Sequence, residues 1–249
     1  MFSLVQVFRF DMSSVYSDRN IVPEMAGTIL PDWFYVYPTQ NFMAFMSSAM
    51  SGNSSIIGYD ISGITTAAPR LFFSGQIQGA VMNDQFSADL YEGHLRIVTT
   101  EYSWTENSSN WTVRLSVMNV PDLSCTGAEM LVTGETSFVT TDYVASVRFM
   151  GDYGYIEMLH GAVHVYDMSN PSDPKKVSEL DMAGYSTYLE PIKVDGVPHM
   201  LDIGESFNEM LGEGVGPRIS LVDISDPTHL RKRATLLERG VGPYSGDTR

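Results

Sequence analysis

A short phrase recurs five times along the chain. An alternating apolar strand ends in Asp or Asn and runs into a turn. It reads Phe8-Arg9-Phe10-Asp11-Met12-Ser13, Ile57-Gly58-Tyr59-Asp60-Ile61-Ser62, Ser116-Val117-Met118-Asn119-Val120-Pro121, Val165-Tyr166-Asp167-Met168-Ser169 and Leu221-Val222-Asp223-Ile224-Ser225. The anchors at positions 11, 60, 119, 167 and 223 lie 49, 59, 48 and 56 residues apart. Helical periodicity is nearly absent, and short alternating runs bounded by Gly, Pro, Asn, Asp and Ser dominate. A period near fifty in an all-β pattern points to four-stranded antiparallel blades, the β-propeller, in which each blade must be covered by its neighbours.

Each period reads as four strands. The clearest has strands expected at 144–148, 155–159, 163–167 and 175–180, and the next at 188–194, 199–203, 218–223 and 230–237. The earlier periods give 34–37, 42–46, 56–60 and 71–76, then 86–89, 95–100, 111–119 and 130–132. The phrase closes the third strand because Asp and Ser side chains bond nearby backbone and favour turns. Pro171, Pro174 and Pro227 cannot donate to a ladder. Basic residues follow, Lys175-Lys176 and Arg231-Lys232-Arg233, as befits an exposed outer edge strand.

The expected organisation is one all-β propeller domain over 1–249. It holds a partial blade over 1–29, blades over 30–80, 81–140, 141–184 and 185–237, and a truncated tail over 238–249. The partial blade is expected to supply only a third strand (4–11) and a fourth within 20–29. The tail is too short for a closing pair of strands. The expectation is therefore an unclosed propeller, a fragment of a longer one or one part of an assembly.

Thirty acidic residues against fifteen basic ones give a formal net charge of −15. Nucleic-acid binders carry a basic face, so this charge argues against a nucleic-acid partner, and equally against an anionic membrane surface. No apolar run is long enough for a transmembrane helix, so no membrane insertion is expected, and the N-terminus lacks the basic region of a signal peptide. Cys125 is the only cysteine, so no internal disulfide forms. No nucleophile elbow or Gly-rich phosphate loop with Lys is present, His160 and His164 flank a tight turn rather than share a helical face, and no cofactor or metal is expected.

Several phrases resemble the secreted β-propeller domain proteins of bacteria and archaea, distant relatives of WD40 propellers. They are Asn83-Asp84-Gln85-Phe86-Ser87-Ala88-Asp89 with Leu95-Arg96-Ile97-Val98-Thr99-Thr100, then Ser146-Val147-Arg148-Phe149-Met150-Gly151-Asp152. Gly184-Tyr185-Ser186-Thr187-Tyr188-Leu189-Glu190-Pro191, Ile203-Gly204 and Ile219-Ser220-Leu221-Val222-Asp223-Ile224-Ser225-Asp226-Pro227 follow in the same order. The chain departs from the family at Leu90, where an acidic residue is usual, at Glu190, where His is usual, and at the tight turn around Gly161. The resemblance implies the fold and an extracellular or cell-surface location; it supplies no activity.

The two long periods carry their extra residues between second and third strands, at 101–110 and 205–217. In an up-and-down blade these turns share one face, and insertions on one face of a repeat mark a binding surface. They hold Tyr102, Trp104, Glu106, Glu205, Phe207, Glu209 and Glu213, aromatics beside carboxylates that suit a protein, peptide or glycan partner. Sequons at Asn53, Asn107 and Asn110 lie in or beside these loops. Asp89, Arg148, Glu190 and Asp202 are expected to face the central channel, and Glu190 and Asp202 are the carboxylates available for hydrolytic chemistry. The expected function is a non-catalytic extracytoplasmic binding or scaffold propeller. The alternatives are a carbohydrate-active or other hydrolase with carboxylates at the propeller mouth, and an intracellular WD40-like interaction scaffold.

Overall fold

A computed structural model describes residues 2–9, 24–31, 34–47, 52–62, 69–81, 84–105, 108–182, 184–208 and 213–237. The first anchor at Asp11 and the tail over 238–249 lie outside the described residues. Among the described residues the chain is all β, apart from one 3-10 turn at Asp84–Ser87. The strands group into two compact units, residues 1–102 with 114–135 and residues 103–113 with 136–249.

The chain opens with β1 (Phe2–Arg9) and β2 (Glu24–Pro31), an antiparallel pair. Sheet I is an antiparallel meander of β3 (Phe34–Pro38), β4 (Phe42–Ser47), β5 (Asn53–Asp60) and β6 (Arg70–Gln78). Sheet II is built from β7 (Ala80–Val81), β8 (Ala88–Tyr91), β9 (His94–Thr105), β10 (Ser108–Asn119) and β12 (Val132–Thr140), which follows β11 (Ala128–Met130). Sheet III is β13 (Val144–Met150), β14 (Tyr153–Met158), β15 (Ala162–Asp167) and β16 (Lys175–Asp181). Sheet IV is β17 (Tyr185–Val194), β18 (Val197–Asn208), β19 (Glu213–Asp223) and β20 (Arg231–Leu237). Sheets III and IV are four-stranded meanders, as the repeat predicts.

Sheets I and II correct the four-strand expectation. The segment expected as the outer strand of sheet II, 130–132, divides. β11 leaves to pair in parallel with β6 as a fifth strand of sheet I, while β12 takes the outer place in sheet II. Gly75 permits this approach, because a Cβ there would lie 2.8 Å from the Met130 carbonyl oxygen. The innermost strand of sheet II is also broken: β7 and β8 both pair with β9, and the 3-10 turn that separates them holds Phe86 and Ser87, expected in a strand.

The recurring phrase has one geometry. In sheets I, III and IV the ladder between third and fourth strands shifts register one residue before the Asp, at Gly58/Tyr59, Val165/Tyr166 and Leu221/Val222. Such bulges bend and twist a strand at a fixed place. The residue after the anchor then donates its N–H to the inner hairpin of its own sheet: Ile61 to Asn41 O (2.8 Å), Val120 to Gly93 O (2.9 Å), Met168 to Asp152 O (2.8 Å) and Ile224 to Pro198 O (3.2 Å). The Asp side chain turns the chain immediately afterwards. Asp60, Asp167 and Asp223 each accept from the backbone N–H two residues on, at Ser62, Ser169 and Ser225. Asn119 cannot, because that position is Pro121, which has no N–H. The side-chain turn falls instead on Asp122, which accepts from Ser124 N at 2.8 Å.

In two sheets an arginine ten residues on completes the corner. Arg70 bonds Asp60 at 2.8 Å, and Arg233 bonds Asp223 at 2.6 Å. Burial alone would raise the Asp60 carboxyl, but the bonds from Ser62 and Arg70 hold it below its usual value. Ser225 and Arg233 hold Asp223 well below its usual value. The basic edge residues therefore brace the turn as well as charge the edge.

The core of the first unit centres on Phe42, Phe72 and Phe73, packed edge-on or tilted against one another beside Ile56, Leu95, Ile97 and Met118. Gly58 and Phe73 are cross-strand partners, and the Phe73 ring covers the glycine at 2.3 Å from an ideal Cβ position. In the second unit a Cβ on Gly204 would lie 2.0 Å from the Tyr185 carbonyl oxygen. Gly58→Ala should cost about 1–3 kcal/mol in denaturant unfolding, since a ring can swing aside. Gly204→Ala should cost more than Gly58→Ala, because a backbone carbonyl cannot move without breaking the β17–β18 ladder.

Candidate functional site

Among the described residues a set of buried polar groups lies between sheets III and IV. Glu157 on β14, Ser186 on β17 and Asp202 and Arg218 on neighbouring strands β18 and β19 are all buried. Arg218 Nη2 stands 2.8 Å from Asp202 Oδ2 and donates to Ser186 Oγ at 2.8 Å, and Nη1 donates to the Met182 carbonyl. The Glu157 carboxyl faces Ser186 and Asp202, and both of its oxygens are buried without a hydrogen-bond partner among the described residues. Burial first, then the Asp202 charge, hold the Glu157 carboxyl well above its usual range. Two ionised carboxylates beside one guanidinium would leave an uncompensated charge in a dry interior, and a proton kept on Glu157 removes it. Arg148, also buried, lies beside this layer: its guanidinium stacks 4.5 Å over the Tyr188 ring and donates to Val147 O at 2.6 Å.

Of the residues expected at the channel, Arg148 and Glu190 meet on Tyr188, and Asp202 and Asp89 do not join them. Asp202 is in the buried cluster. Glu190 accepts instead from the Tyr188 hydroxyl at 2.8 Å. Leu189 is the cross-strand partner of Asp202, so Glu190, one residue on, points to the opposite face of sheet IV. Asp89 pairs with Arg96, whose guanidinium lies 4.8 Å over the Tyr91 ring. His160 bonds Asp142 at 2.7 Å, and no cluster of three metal-ligating side chains occurs among the described residues.

The expected long loops are mostly strand. The insertion at 101–110 extends β9 and β10 into a hairpin arm, and the one at 205–217 extends β18 and β19. Tyr102 and Trp104 share one face of β9 by alternation, and Trp104 is 70% exposed. Trp111, by contrast, packs on Tyr143 with ring centroids 6.4 Å apart. Glu205 on β18 is opposite Pro217. Phe207 and Glu213 hold register positions opposite Gly214 and Asn208; their side chains, with Glu106 and Glu209, lie outside the described residues. Away from the arms, an open groove of about 600 Å³ runs over Ser55, Ser74, Gln76 and Glu129 where β11 joins sheet I.

A family model described as a beta propeller domain matches residues 3–245. The chain belongs to the beta propeller domain family. It is 33% identical over 156 residues to an uncharacterised protein of Methanocaldococcus jannaschii, covering 61% of this chain and 22% of the relative. A second uncharacterised protein, from Archaeoglobus fulgidus, is 32% identical over 171 residues, covering 65% and 24%. The chain thus spans less than a quarter of the length of these relatives. Among solved structures it resembles a variant of Synechocystis apocarotenoid oxygenase, with a TM-score of 0.54, 10% identity and coverage of 98% of this chain and 57% of the other. A chimera of that oxygenase with RPE65 gives a TM-score of 0.53 at 11% identity, with the same coverage. These likenesses carry the propeller fold and no site residue.

Within the propeller, Glu157, Ser186 and Arg218 are site residues that sequence reasoning missed. A signal existed: Glu157 and Asp202 each interrupt an apolar second strand, Tyr155-Ile156-Glu157-Met158 and Met200-Leu201-Asp202-Ile203. Removing one member of a buried ionic set leaves the rest uncompensated, so Arg218→Met should destabilise by about 3–5 kcal/mol. Glu157 binds its proton more tightly folded than unfolded. Its contribution is therefore full below the ordinary glutamate value of about 4.3 and is lost as pH rises toward the folded-state value. Denaturant melts should show the parent chain losing stability relative to Glu157→Gln between pH 5 and pH 8; parallel pH profiles would contradict a proton held on Glu157.

Proposed function

We propose that this propeller is a non-catalytic, extracytoplasmic binding or scaffold module that meets its partner through the hairpin arms of sheets II and IV. The observation that carries this reading is Trp104, 70% exposed on an arm that extends β9, with Tyr102 on the same strand face. Aromatic side chains offer a large, rigid contact area, and they dominate binding hot spots. A glycan or an extended peptide suits such a platform, because both present flat apolar surfaces edged by hydrogen-bonding groups. The hydrolytic alternative needs Glu190 and Asp202 to converge on substrate, whereas Asp202 is fully buried and Glu190 points to the opposite face of sheet IV.

Glycan and peptide arrays probed with the chain should return a specific ligand. Tyr102→Ala with Trp104→Ala should then weaken that ligand about tenfold or more, while the melting temperature shifts by less than about 2–4 °C. Undiminished binding by the double variant, or turnover of a glycan substrate, would overturn this reading. Surface biotinylation of the source cells tests the location: labelling in intact cells is expected, and labelling only after lysis would favour an intracellular scaffold.

A further inference from the structure

The hairpin arm of sheet II has two faces of different chemistry. β9 and β10 are hydrogen-bonded neighbours, and side-chain bonds near the tip give their register. Thr105 Oγ1 donates to the Ser108 carbonyl and accepts from the Ser108 N–H, each at 3.2 Å. Two residues back, Ser103 Oγ donates to the Asn110 carbonyl at 3.4 Å. Thr105 is therefore opposite Ser108 and Ser103 opposite Asn110, which sets Trp104 opposite Ser109. Directly opposed residues share a face, and so do alternate residues along one strand. One face of the arm thus carries Trp104, Ser109 and Trp111. The other carries Ser103, Thr105, Ser108, Asn110 and Thr112, every one of them a hydroxyl or an amide.

Asn110 and Thr112 are the acceptor and the hydroxyl residue of the sequon Asn110-Trp111-Thr112. The extended strand sets them side by side on the polar face, about 7 Å apart along β10. Both are partly exposed. Among the described residues, neither the Asn110 amide nor the Thr112 hydroxyl takes part in a side-chain hydrogen bond. A group attached to Asn110 Nδ2 would therefore break no side-chain bond, and it would leave the backbone ladder of the arm intact. The other sequon of the arm, at Asn107, has its hydroxyl residue Ser109 on the Trp104 face.

We infer that Asn110 carries an N-linked oligosaccharide, which covers the polar face of the arm and leaves the Trp104 face open. The inference rests on the extracytoplasmic reading above, because sequons are modified in exported chains. In the transfer, Asn110 Nδ2 attacks C1 of the first sugar of a lipid-phosphate-linked oligosaccharide. The C1–N bond forms and the C1–O bond to the phosphate breaks. The lipid phosphate leaves with the bonding pair, and the amide gives up one proton. A sugar chain is bulky and strongly hydrated, so it blocks docking on the face that holds it. A partner then meets the arm through the face of Trp104, which is 70% exposed.

Peptide mass spectrometry of the protein purified from its source cells tests this, alongside Thr112→Ala and Thr112→Ser variants made in the same cells. The peptide holding Asn110 should carry a sugar mass in the parent chain. Thr112→Ser, which preserves the sequon, should keep that mass, and Thr112→Ala should lose it. Surface biotinylation of the same cells separates this inference from the reading it rests on. Protein labelled in intact cells but bare at Asn110, or bearing sugar on Asn107 alone, overturns the inference and leaves the binding module standing. Labelling only after lysis overturns both. Acrylamide quenching of tryptophan fluorescence checks the face: equal quenching of the parent chain and Thr112→Ala is expected. Weaker quenching of the glycosylated chain would put the sugar over Trp104 and overturn the assignment of faces.

Discussion

The last rung of each blade's ladder holds the repeat together. One N–H, on the residue after the anchor Asp or Asn, reaches back to the hairpin that joins the first and second strands. It does so at Ile61, Val120, Met168 and Ile224, in all four large sheets. This bond fixes where the third strand stops, and so where the chain must turn toward its outer edge. The bulge just before the anchor sets the twist at that corner in sheets I, III and IV. A buried or half-buried backbone donor left unmatched costs about 1–3 kcal/mol, so the rung is worth keeping at every period. The side-chain bonds of Asp60, Asp167 and Asp223 then turn the chain without further help from the ladder.

With the corner fixed, each sheet presents two faces that must be covered. The sequence meets this need differently at each junction. Sheet I uses aromatic rings, with Phe73 lying over Gly58. The junction of sheets III and IV encloses a polar island, Glu157 and Ser186 with Asp202 and Arg218, inside an aliphatic layer. Buried charge of this kind adds little to stability compared with an apolar layer, but it penalises mismatched partners. A blade order could be specified in this way: sheet IV can satisfy Glu157, and a blade lacking Asp202 and Arg218 could not. The hairpin arms stand outside this packing, which leaves Trp104 free to vary with function.

The strands were legible because alternation and turn residues are local. Sheets III and IV follow the expected boundaries within a few residues, and the phrase located every third strand from Asp60 onward. Sheet II was not legible to the same degree. Its outer segment divides because Gly75 admits Met130 against β6, a contact between residues 55 positions apart in the sequence that no local pattern encodes. The site was read least well for the same reason. Glu190 and Asp202 looked equivalent as acids on inner strands, yet strand alternation sends them to opposite faces. Asp202 proved to pair with Arg218 beside the buried Glu157 carboxyl, on another sheet. The long insertions were correctly placed between second and third strands, but their alternating residues extend the ladder rather than form irregular loops.

Native-state hydrogen exchange at four amides tests the central claim most directly. The N–H groups of Ile61, Val120, Met168 and Ile224 sit at strand ends, where amides ordinarily exchange through local fraying. If they are the rungs that fix each blade, all four should be protected to nearly the level of the strand interiors. Exchange at the rate of the neighbouring turn residues would show that the corner is held by something else.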